Sequence, residues 1–252
     1  MTADICLQFD MGNSSAKWRL VSDAKVLLRG QYACGDRDSL AQLANIHPAP
    51  QTVWIASVAS PSAEAELAAA VTELWSLTPW FARSAARSRD LVNSYREPAR
   101  MGVDRWLAML GARARTQTRL CVVDAGSALT IDLVAADGVH EGGYIIPGLA
   151  LMERALLLDT HRVRFDDDTD YALSPGTSTA EAVRHGIALA QAGAVTLALD
   201  CSGGEPPALF FCGGAGATLM SLLCRGGTHI PDLVFEGLEI MASLADDLTT
   251  DR

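Results

Sequence analysis

The sequence predicts an α/β protein made of two duplicated halves, each a mixed sheet in the order βββαβα with helices on its flanks. One observation leads. The stretch Cys6-Leu7-Gln8-Phe9-Asp10-Met11-Gly12-Asn13-Ser14-Ser15-Ala16-Lys17-Trp18 is an apolar strand that ends in an acid, turns at a glycine and returns as a second strand. A second observation repeats the first 114 positions later, where Cys121-Val122-Val123-Asp124-Ala125-Gly126-Ser127-Ala128-Leu129-Thr130-Ile131-Asp132 follows the same plan. A third is what comes after each hairpin: another short apolar run, a helical stretch, a buried-type strand and a second helix, which is the alternation expected of layered α/β architecture. The expected division is 1–101 for the N-terminal half and 102–252 for the C-terminal half, joined through a helix near Gly102–Arg113.

The elements follow in order. Trp18 to Val21 returns from the first turn, and Lys25–Arg29 with Gln31-Tyr32 reads as a third antiparallel strand. Asp38 to Ala44 reads as a short helix closed by the proline-rich turn at Pro48 and Pro50. Thr52 to Ala59 is a continuous apolar run of strand length, as in a strand buried on both faces. Ser60-Pro61 sets an N-cap before a proline at the first helical position, and the Ala/Glu/Leu-rich helix runs to about Trp75. Residues 83–100 are polar and irregular; helical pattern resumes after Met101 and continues to Arg113. In the second half, strands are expected at Leu120–Asp124, Leu129–Val134 and Gly143–Ile146, then a helix at Leu149–Leu158. Ser178-Thr179-Ala180-Glu181 is a capping box opening a long helix toward Leu199. Ala208–Cys212 reads as a strand, Gly213-Gly214-Ala215-Gly216 as a turn into a helix ending near Cys224, and Val234–Leu248 as the last helix.

Composition narrows the function. The chain has 252 residues, 49% apolar and 20% charged, with a net charge of −10. An acidic surface repels nucleic acid and anionic membranes, so neither is an expected partner, whereas a local pocket can still hold ATP. Met1 to Asp4 runs directly into a strand without the basic and apolar regions of a leader, and no run of about 18 uncharged apolar residues is present, so a cytoplasmic location is expected. The six cysteines form no Cys-x-x-Cys pair, and several lie in strand-like runs; reduced, buried thiols are expected.

Four places carry candidate chemistry. The Asp10 hairpin offers backbone N–H groups, hydroxyls and Lys17 to a polyphosphate, and Asp10 can hold magnesium or its water shell. Asp-x-Gly-Asn is also ordinary turn chemistry, and it is the echo at Asp124 that favours the phosphate reading. Asp104 and Arg105 fall in the first turn of a helix, where donors and dipole favour an anion; a capping Asp with a solvated Arg is the plainer alternative. The acids Asp166, Asp167, Asp168 and Asp170 fit a solvated loop better than a metal site. The glycine turn at 213–216 lets backbone approach a nucleotide, or simply packs a helix close on a strand.

Taken together, the motifs resemble the type III pantothenate kinase family of the superfamily that also contains acetate and sugar kinases and actin. Five segments match in order: Asp10 to Lys17, Gly102-Val103-Asp104-Arg105, Asp124 to Thr130, Gly142-Gly143-Tyr144-Ile145-Ile146-Pro147-Gly148, and Gly176-Thr177-Ser178-Thr179 before a helix. The resemblance implies ribonuclease H-like, actin-like ATPase halves and ATP-dependent phosphorylation of pantothenate at the entry to coenzyme A synthesis. It implies that Asp10, Met11, Gly12, Asn13, Ser14, Ser15, Ala16 and Lys17 with Ser127 bind ATP and its magnesium. Asp104 is then the general base, and Tyr95, Gly102, Val103, Asp104, Arg105 and Thr179 hold pantothenate. Asp124 binds a monovalent cation, potassium or ammonium, and the protein is a cytoplasmic homodimer. Two departures stand out: Ser14 and Ser127 occupy positions where the family often has Thr, and Ala215 stands where it usually has Asp, which bears on the choice of phosphoryl donor.

Two other functions fit the same motifs. One is a kinase of the superfamily acting on another hydroxylated metabolite, against which the Gly-x-Asp-Arg segment argues. The other is a non-catalytic regulatory protein of the Bvg accessory factor type, for which retention of Asp104 has no use. The chain shows no basic recognition helix for DNA.

Overall fold

The computed structural model describes residues 4–13, 15–23, 25–159, 163–165 and 169–250. Ser14 and the acids Asp166, Asp167 and Asp168 lie outside the described residues. The first half contains β1 (Ile5–Met11), β2 (Ala16–Ser22), β3 (Lys25–Tyr32), α1 (Arg37–Ala44), β4 (Thr52–Ser57), α2 (Pro61–Trp75) and β5 (Trp80–Phe81). Two-residue strands β6 (Arg87–Ser88) and β7 (Leu91–Val92) and a 3-10 turn (Pro98–Arg100) lead to α3 (Val103–Arg115). Then come β8 (Leu120–Ala125), β9 (Ala128–Val134), β10 (His140–Pro147), α4 (Leu149–Asp159), α5 (Thr179–Cys201), β11 (Ala208–Cys212), α6 (Gly216–Leu223), β12 (Thr228–His229) and α7 (Leu233–Thr250).

The duplication appears in the sheets. One has the order β3-β2-β1-β4-β5 and the other β10-β9-β8-β11-β12, so each strand of the first has a counterpart in the second. Both begin with an antiparallel meander and add parallel strands through helical crossovers. The βββαβα expectation fits the first sheet; in the second, two helices, α4 and α5, stand between β10 and β11. The two edge strands β5 and β12 were not anticipated, because two residues are too few to show a period.

Two compact units are present, and neither is continuous in sequence. One comprises Met1–Ser88, Tyr95–Gly111 and Val234–Arg252; the other comprises Arg89–Ser94 and Ala112–Leu233. A cut at 101/102 runs through the first of these, because α3 up to Gly111 and most of α7 belong with the first sheet.

In the first unit, alternation along β1 sends Leu7 and Phe9 into a core with Val53 and Ile55 of β4 and with Leu43 of α1 and Leu67 and Val71 of α2. On the other face Gln8 is fully buried and meets α7: Arg19 donates to Gln8 Oε1 (2.7 Å) and to Glu239 (2.8 Å), and its guanidinium lies 4.7 Å from the Phe235 ring centre. The α7 backbone presses against α3 so closely that a Cβ on Gly237 would lie 1.9 Å from the Leu107 carbonyl oxygen.

In the second unit, Cys121, Val123, Leu129, Ile131 and Phe211 form a core with Ala192, Val195 and Ala198 of α5 and Leu219 of α6. On the opposite face Asp132 and His140, both about 1% exposed, pair at 3.1 Å, and His140 Nδ1 meets the Ser94 hydroxyl at 2.8 Å. By length and hydropathy α5 could cross a membrane; one of its faces is instead core, and the other exposes Leu189 and Leu197. All six cysteines are free, but only Cys6, Cys121 and Cys212 are buried, so the expectation of buried thiols fails for Cys34, Cys201 and Cys224. Burial pushes the Cys6 and Cys121 thiols up to about 12.

Candidate active site

The first hairpin forms because β1 and β2 pair in register up to Met11 and Ala16, leaving four residues for the turn. The Gly12 N–H donates to the Ser15 carbonyl at 3.0 Å and closes it. Asp10 sits directly across from Lys17, and directly opposed residues of an antiparallel pair project from the same face of the sheet. Asn13, Ser15 and Lys17 are exposed and Asp10 is half-buried, whereas Met11 and Ala16 are core residues. Within the run from Asp10 to Lys17 the Met11 and Ala16 side chains belong to the core, so these two residues have only backbone atoms to offer a ligand.

The Gly102–Arg105 turn stands at the same end of the same sheet. Val58, which follows β4, donates its N–H to the Met11 carbonyl at 3.0 Å, and its methyl lies 3.7 Å from where a Gly102 Cβ would stand. Gly102 accepts the first helical hydrogen bond of α3 from Trp106 N (3.2 Å), and Asp104 Oδ1 accepts from the Arg105 N–H at 2.7 Å. This carboxylate occupies the space a side chain at 102 would need: a Cβ there would lie 2.5 Å from Asp104 Oδ1. Glycine at 102 is thus what leaves room for the acid. Arg105 is not a solvated arginine: it is 5% exposed, donates to the Tyr95 hydroxyl at 2.8 Å and lies 5.7 Å from that ring's centre. Val103 is buried at 5% exposure, so its side chain belongs to the core and only its backbone can face a ligand. Asp104 itself remains half-exposed.

The second hairpin reproduces the first in the other unit. Asp124 is the penultimate residue of β8, as Asp10 is of β1, and pairs with Thr130 of β9 and Cys212 of β11, where Asp10 pairs with Lys17 and Ala56. Gly126 N donates to the Ala128 carbonyl at 2.9 Å to make the turn, and Ser127 is exposed at its tip. Around the acid the backbone is closely packed. Gly213, at φ +79°, would place a Cβ 2.3 Å from Asp124 Oδ1, so no residue but glycine suits both the dihedral and the space. Ala215 N donates to the Ala125 carbonyl at 2.9 Å, which docks the start of α6 beside the hairpin; Ala215 is the α6 N-cap and supplies no side-chain acceptor. Gly148, whose N–H donates to the Ser127 carbonyl at 3.1 Å, would place a Cβ 2.4 Å from the Gly126 oxygen.

Thr179 is the exposed first residue of α5. The Ser178 hydroxyl accepts from Glu181 N at 3.2 Å, and the Glu181 carboxylate takes the Thr177 N–H and hydroxyl, which hold its pKa below the usual carboxylate value. The candidate residues thus fall into two sets. Asp10, Lys17, Tyr95, Gly102, Asp104 and Arg105 share the first unit, and Asp124, Ser127 and Thr179 share the second.

Sequence reasoning passed over Val58, which links β1 to the Gly102 turn, and Gln191, a buried polar residue in an alanine-rich helix. Only the second left a signal in the sequence, a lone amide on an apolar stripe. A cavity of about 780 Å³ lies at the start of β11, lined by Arg119, Pro207, Leu209 and Arg225 among others. It is at the opposite end of that strand from Cys212, the partner of Asp124, and contains none of the site residues.

The residues suit a magnesium nucleotide and a monovalent cation. Asp10 and Asp124 each stand at a strand end, Asp124 with Gly126 and Gly213 against its carboxylate, and hard cations take oxygen ligands. Among the described residues no three His, Cys, Asp or Glu side chains cluster as a metal site, so a cation here would draw its remaining ligands from backbone and phosphate.

Twin five-stranded sheets, each with an acid and a glycine turn at the end of its first strand, define the actin-like ATPase fold. Solved structures share it: a conserved Baf family protein from Campylobacter jejuni has a TM-score of 0.62 at 20% identity, covering 96% of this chain and 99% of that one. A protein from Sinorhizobium meliloti described as a 2-dehydro-3-deoxygalactonokinase has a TM-score of 0.61 at 15% identity, covering 95% and 98%. The sequence is more specific. The family model of type III pantothenate kinase matches residues 6–200. A type III pantothenate kinase of Pseudomonas aeruginosa is 36% identical over 241 residues, 93% of this chain and 97% of the relative. One from Thiobacillus denitrificans is 38% identical over 236 residues, covering 92% and 94%. The chain belongs to the type III pantothenate kinase family.

Proposed function

We propose that this protein phosphorylates pantothenate, using ATP as donor, and so catalyses entry into coenzyme A synthesis. The observation that carries the reading is the Gly102–Arg105 turn: a half-exposed carboxylate, cleared by a glycine, at the end of the sheet that also bears the Asp10 hairpin. Phosphoryl transfer passes through a loose transition state and needs alignment and charge neutralisation above all. Asp104 accepts the proton of the primary hydroxyl as its oxygen bonds to the γ-phosphorus and the bond to the β,γ-bridging oxygen breaks, releasing ADP. The hydroxyl loses its proton late, so an ordinary carboxylate within hydrogen-bond reach suffices. Arg105, held by Tyr95, presents a planar fork suited to the substrate carboxylate.

Asn13, Ser15, Lys17 and the backbone of Gly12 bind the phosphates, Ser127 contacts the nucleotide, and Thr179 contacts the substrate. Asp10 holds the magnesium or its water shell, and Asp124 holds potassium or ammonium; bound there, these cations neutralise phosphate charge. The active species is a cytoplasmic homodimer, a reading supported by family membership and consistent with the exposed Leu189 and Leu197 of α5.

The test is transfer of labelled γ-phosphate from ATP to pantothenate in potassium, ammonium or sodium, with the native chain and Asp104→Asn. The amide keeps the shape but cannot take the proton. Cation-dependent product, lowered at least ~100-fold in the variant, is expected for loss of a general base. Product that forms equally well with Asp104→Asn removes the assignment of the base. Pantothenate binding without product under any cation favours the accessory-factor role, and absence of binding points to another metabolite.

A further inference from the structure

Among the buried residues of α5 one is polar. Gln191 is 1% exposed and shares its face with Ile187, Ala188, Ala192, Val195 and Ala198. An apolar side chain would fill this position without desolvating an amide, so what the amide holds is informative. Its Nε2 donates to the Pro147 carbonyl at 3.0 Å, while Oε1 is buried without a protein partner. Pro147 has no N–H, so its carbonyl is the one backbone hydrogen-bonding group it offers. Pro147 lies across from Ala128, the residue after Ser127, and Gly148 N donates to the Ser127 carbonyl. With no room for a side chain, Gly148 lies flat on the Gly126–Ser127 turn. A continuous path therefore runs from the Gln191 amide through Pro147 and Gly148 to the hairpin tip.

We propose that Gln191 is a positioning residue for the second phosphate hairpin: its amide latches Pro147-Gly148 onto Gly126-Ser127 and so fixes where the Ser127 hydroxyl and the turn's N–H groups meet the nucleotide. The functional half of this proposal rests on the reading that Ser127 faces ATP; the latch does not.

The experiment uses the full chain with Gln191→Met, which keeps length and removes the donor, Gln191→Glu, which keeps shape, and Ser127→Ala as reference. Loss of one buried hydrogen bond from the latch is expected to raise KM for ATP about 10-fold. KM for pantothenate should stay within twofold, and exchange of the Gly148 amide with deuterium should quicken about 10-fold in Gln191→Met. In Gln191→Glu a protonated carboxyl can donate to Pro147 and an ionised one repels it, so KM for ATP should recover as pH falls, a dependence that a purely structural role would not produce. Unchanged Gly148 exchange in Gln191→Met overturns the latch. Faster exchange with KM for ATP unchanged, while Ser127→Ala raises it, overturns the functional half. Ser127→Ala without effect, alongside faster Gly148 exchange, supports the latch and defeats the nucleotide reading of Ser127. Should Gln191→Met fail to fold, the pH response of Gln191→Glu decides: recovery at low pH supports the proposal and a flat KM overturns it.

Discussion

Replacing Gly102 by alanine separates catalysis from stability at this site. The new Cβ would stand 2.5 Å from Asp104 Oδ1, and carbon atoms at such positions essentially never come within 3.0 Å of another heavy atom. Something must therefore retreat by about 0.5 Å or more, and the obstacle is the end of a side chain rather than backbone. The next neighbour, a Val58 methyl at 3.7 Å, is in ordinary contact. The carboxylate turns away and gives up its 2.7 Å bond to the Arg105 N–H. In stability the effects oppose: alanine restricts the unfolded chain, worth about 0.4–1 kcal/mol, and the lost hydrogen bond costs about 1 kcal/mol. The melting temperature should move by no more than about 3 °C for a chain of this size. In rate the effects do not cancel, because a misplacement of about 1 Å in a reacting group costs up to about 100-fold. We expect kcat for pantothenate phosphorylation to fall about 30- to 100-fold with the melting temperature within about 3 °C of the native value, measured by coupled ADP release and by calorimetry. Because Gly102 acts through Asp104, the double variant with Asp104→Asn should be no slower than Asp104→Asn alone. A kcat within about threefold of the native value, with the fold intact, would refute the argument that glycine is there to make room for the base.

Two further outcomes concern stability. Glu239→Ala removes the carboxylate partner of Arg19, whose side chain is 6% exposed. Breaking a fully buried pair costs about 3–5 kcal/mol, but Glu239 is 38% exposed and Arg19 keeps Gln8, so about 1–2 kcal/mol and a fall of roughly 3–6 °C in melting temperature are expected. The triple change Gln8→Leu, Arg19→Met and Glu239→Leu should recover most of that loss, since it leaves neither an unpaired charge nor the fully buried Gln8 amide without its partners. Acid is the second case. Asp36 is held below its ordinary 3.8 by the Ser39 hydroxyl, Glu64 below 4.5 by Arg83, and Glu181 below 4.5 by Thr177. A folded pKa lower than the unfolded one means that the unfolded chain binds protons first as pH falls. Stability from these groups is thus complete above about pH 5 and is lost as pH drops through 4.5 and then through the lower folded values. Glu181→Gln should melt below the native chain at pH 7, with the gap narrowing as pH falls below 4.5; a gap that stays constant down that range would show that ionisation of Glu181 does not matter.

The parts of the molecule that could be read in advance are those where local chemistry decides structure. Ser60-Pro61 fixed the start of α2, and its end at Trp75 also came out as expected. Ser178 caps α5 as its capping box implies, although Glu181 reaches back to Thr177. The paired hairpins followed from Asp-x-Gly between apolar runs. What could not be read depends on tertiary placement. β5 and β12 are two-residue additions to sheet edges, made by neighbours rather than by their own pattern. Arg105 looked like a solvated charge because nothing local announces the Tyr95 ring ten positions earlier. Met11 and Ala16 sit inside the Asp10–Lys17 hairpin yet pack inward, because strand alternation continues to the edge of the turn. The assignment of α7 to the first unit has no sequence signal at all; it rests on the contact of Gly237 with Leu107 and on the burial of Gln8 and Arg19.

The matched registers of the two sheets make each half a control for the other. Asp10 and Asp124 occupy one and the same position in a shared plan, so a residue that differs across from them records divergence since the two copies were alike. Across from Asp10 stands a lysine; across from Asp124 stands a threonine. One copy carries a cationic side chain at that register position and the other a hydroxyl. Exchanging Lys17 and Thr130 would therefore move that one difference from each half to the other and leave the shared plan as it is, so each half would be read against its twin within a single molecule.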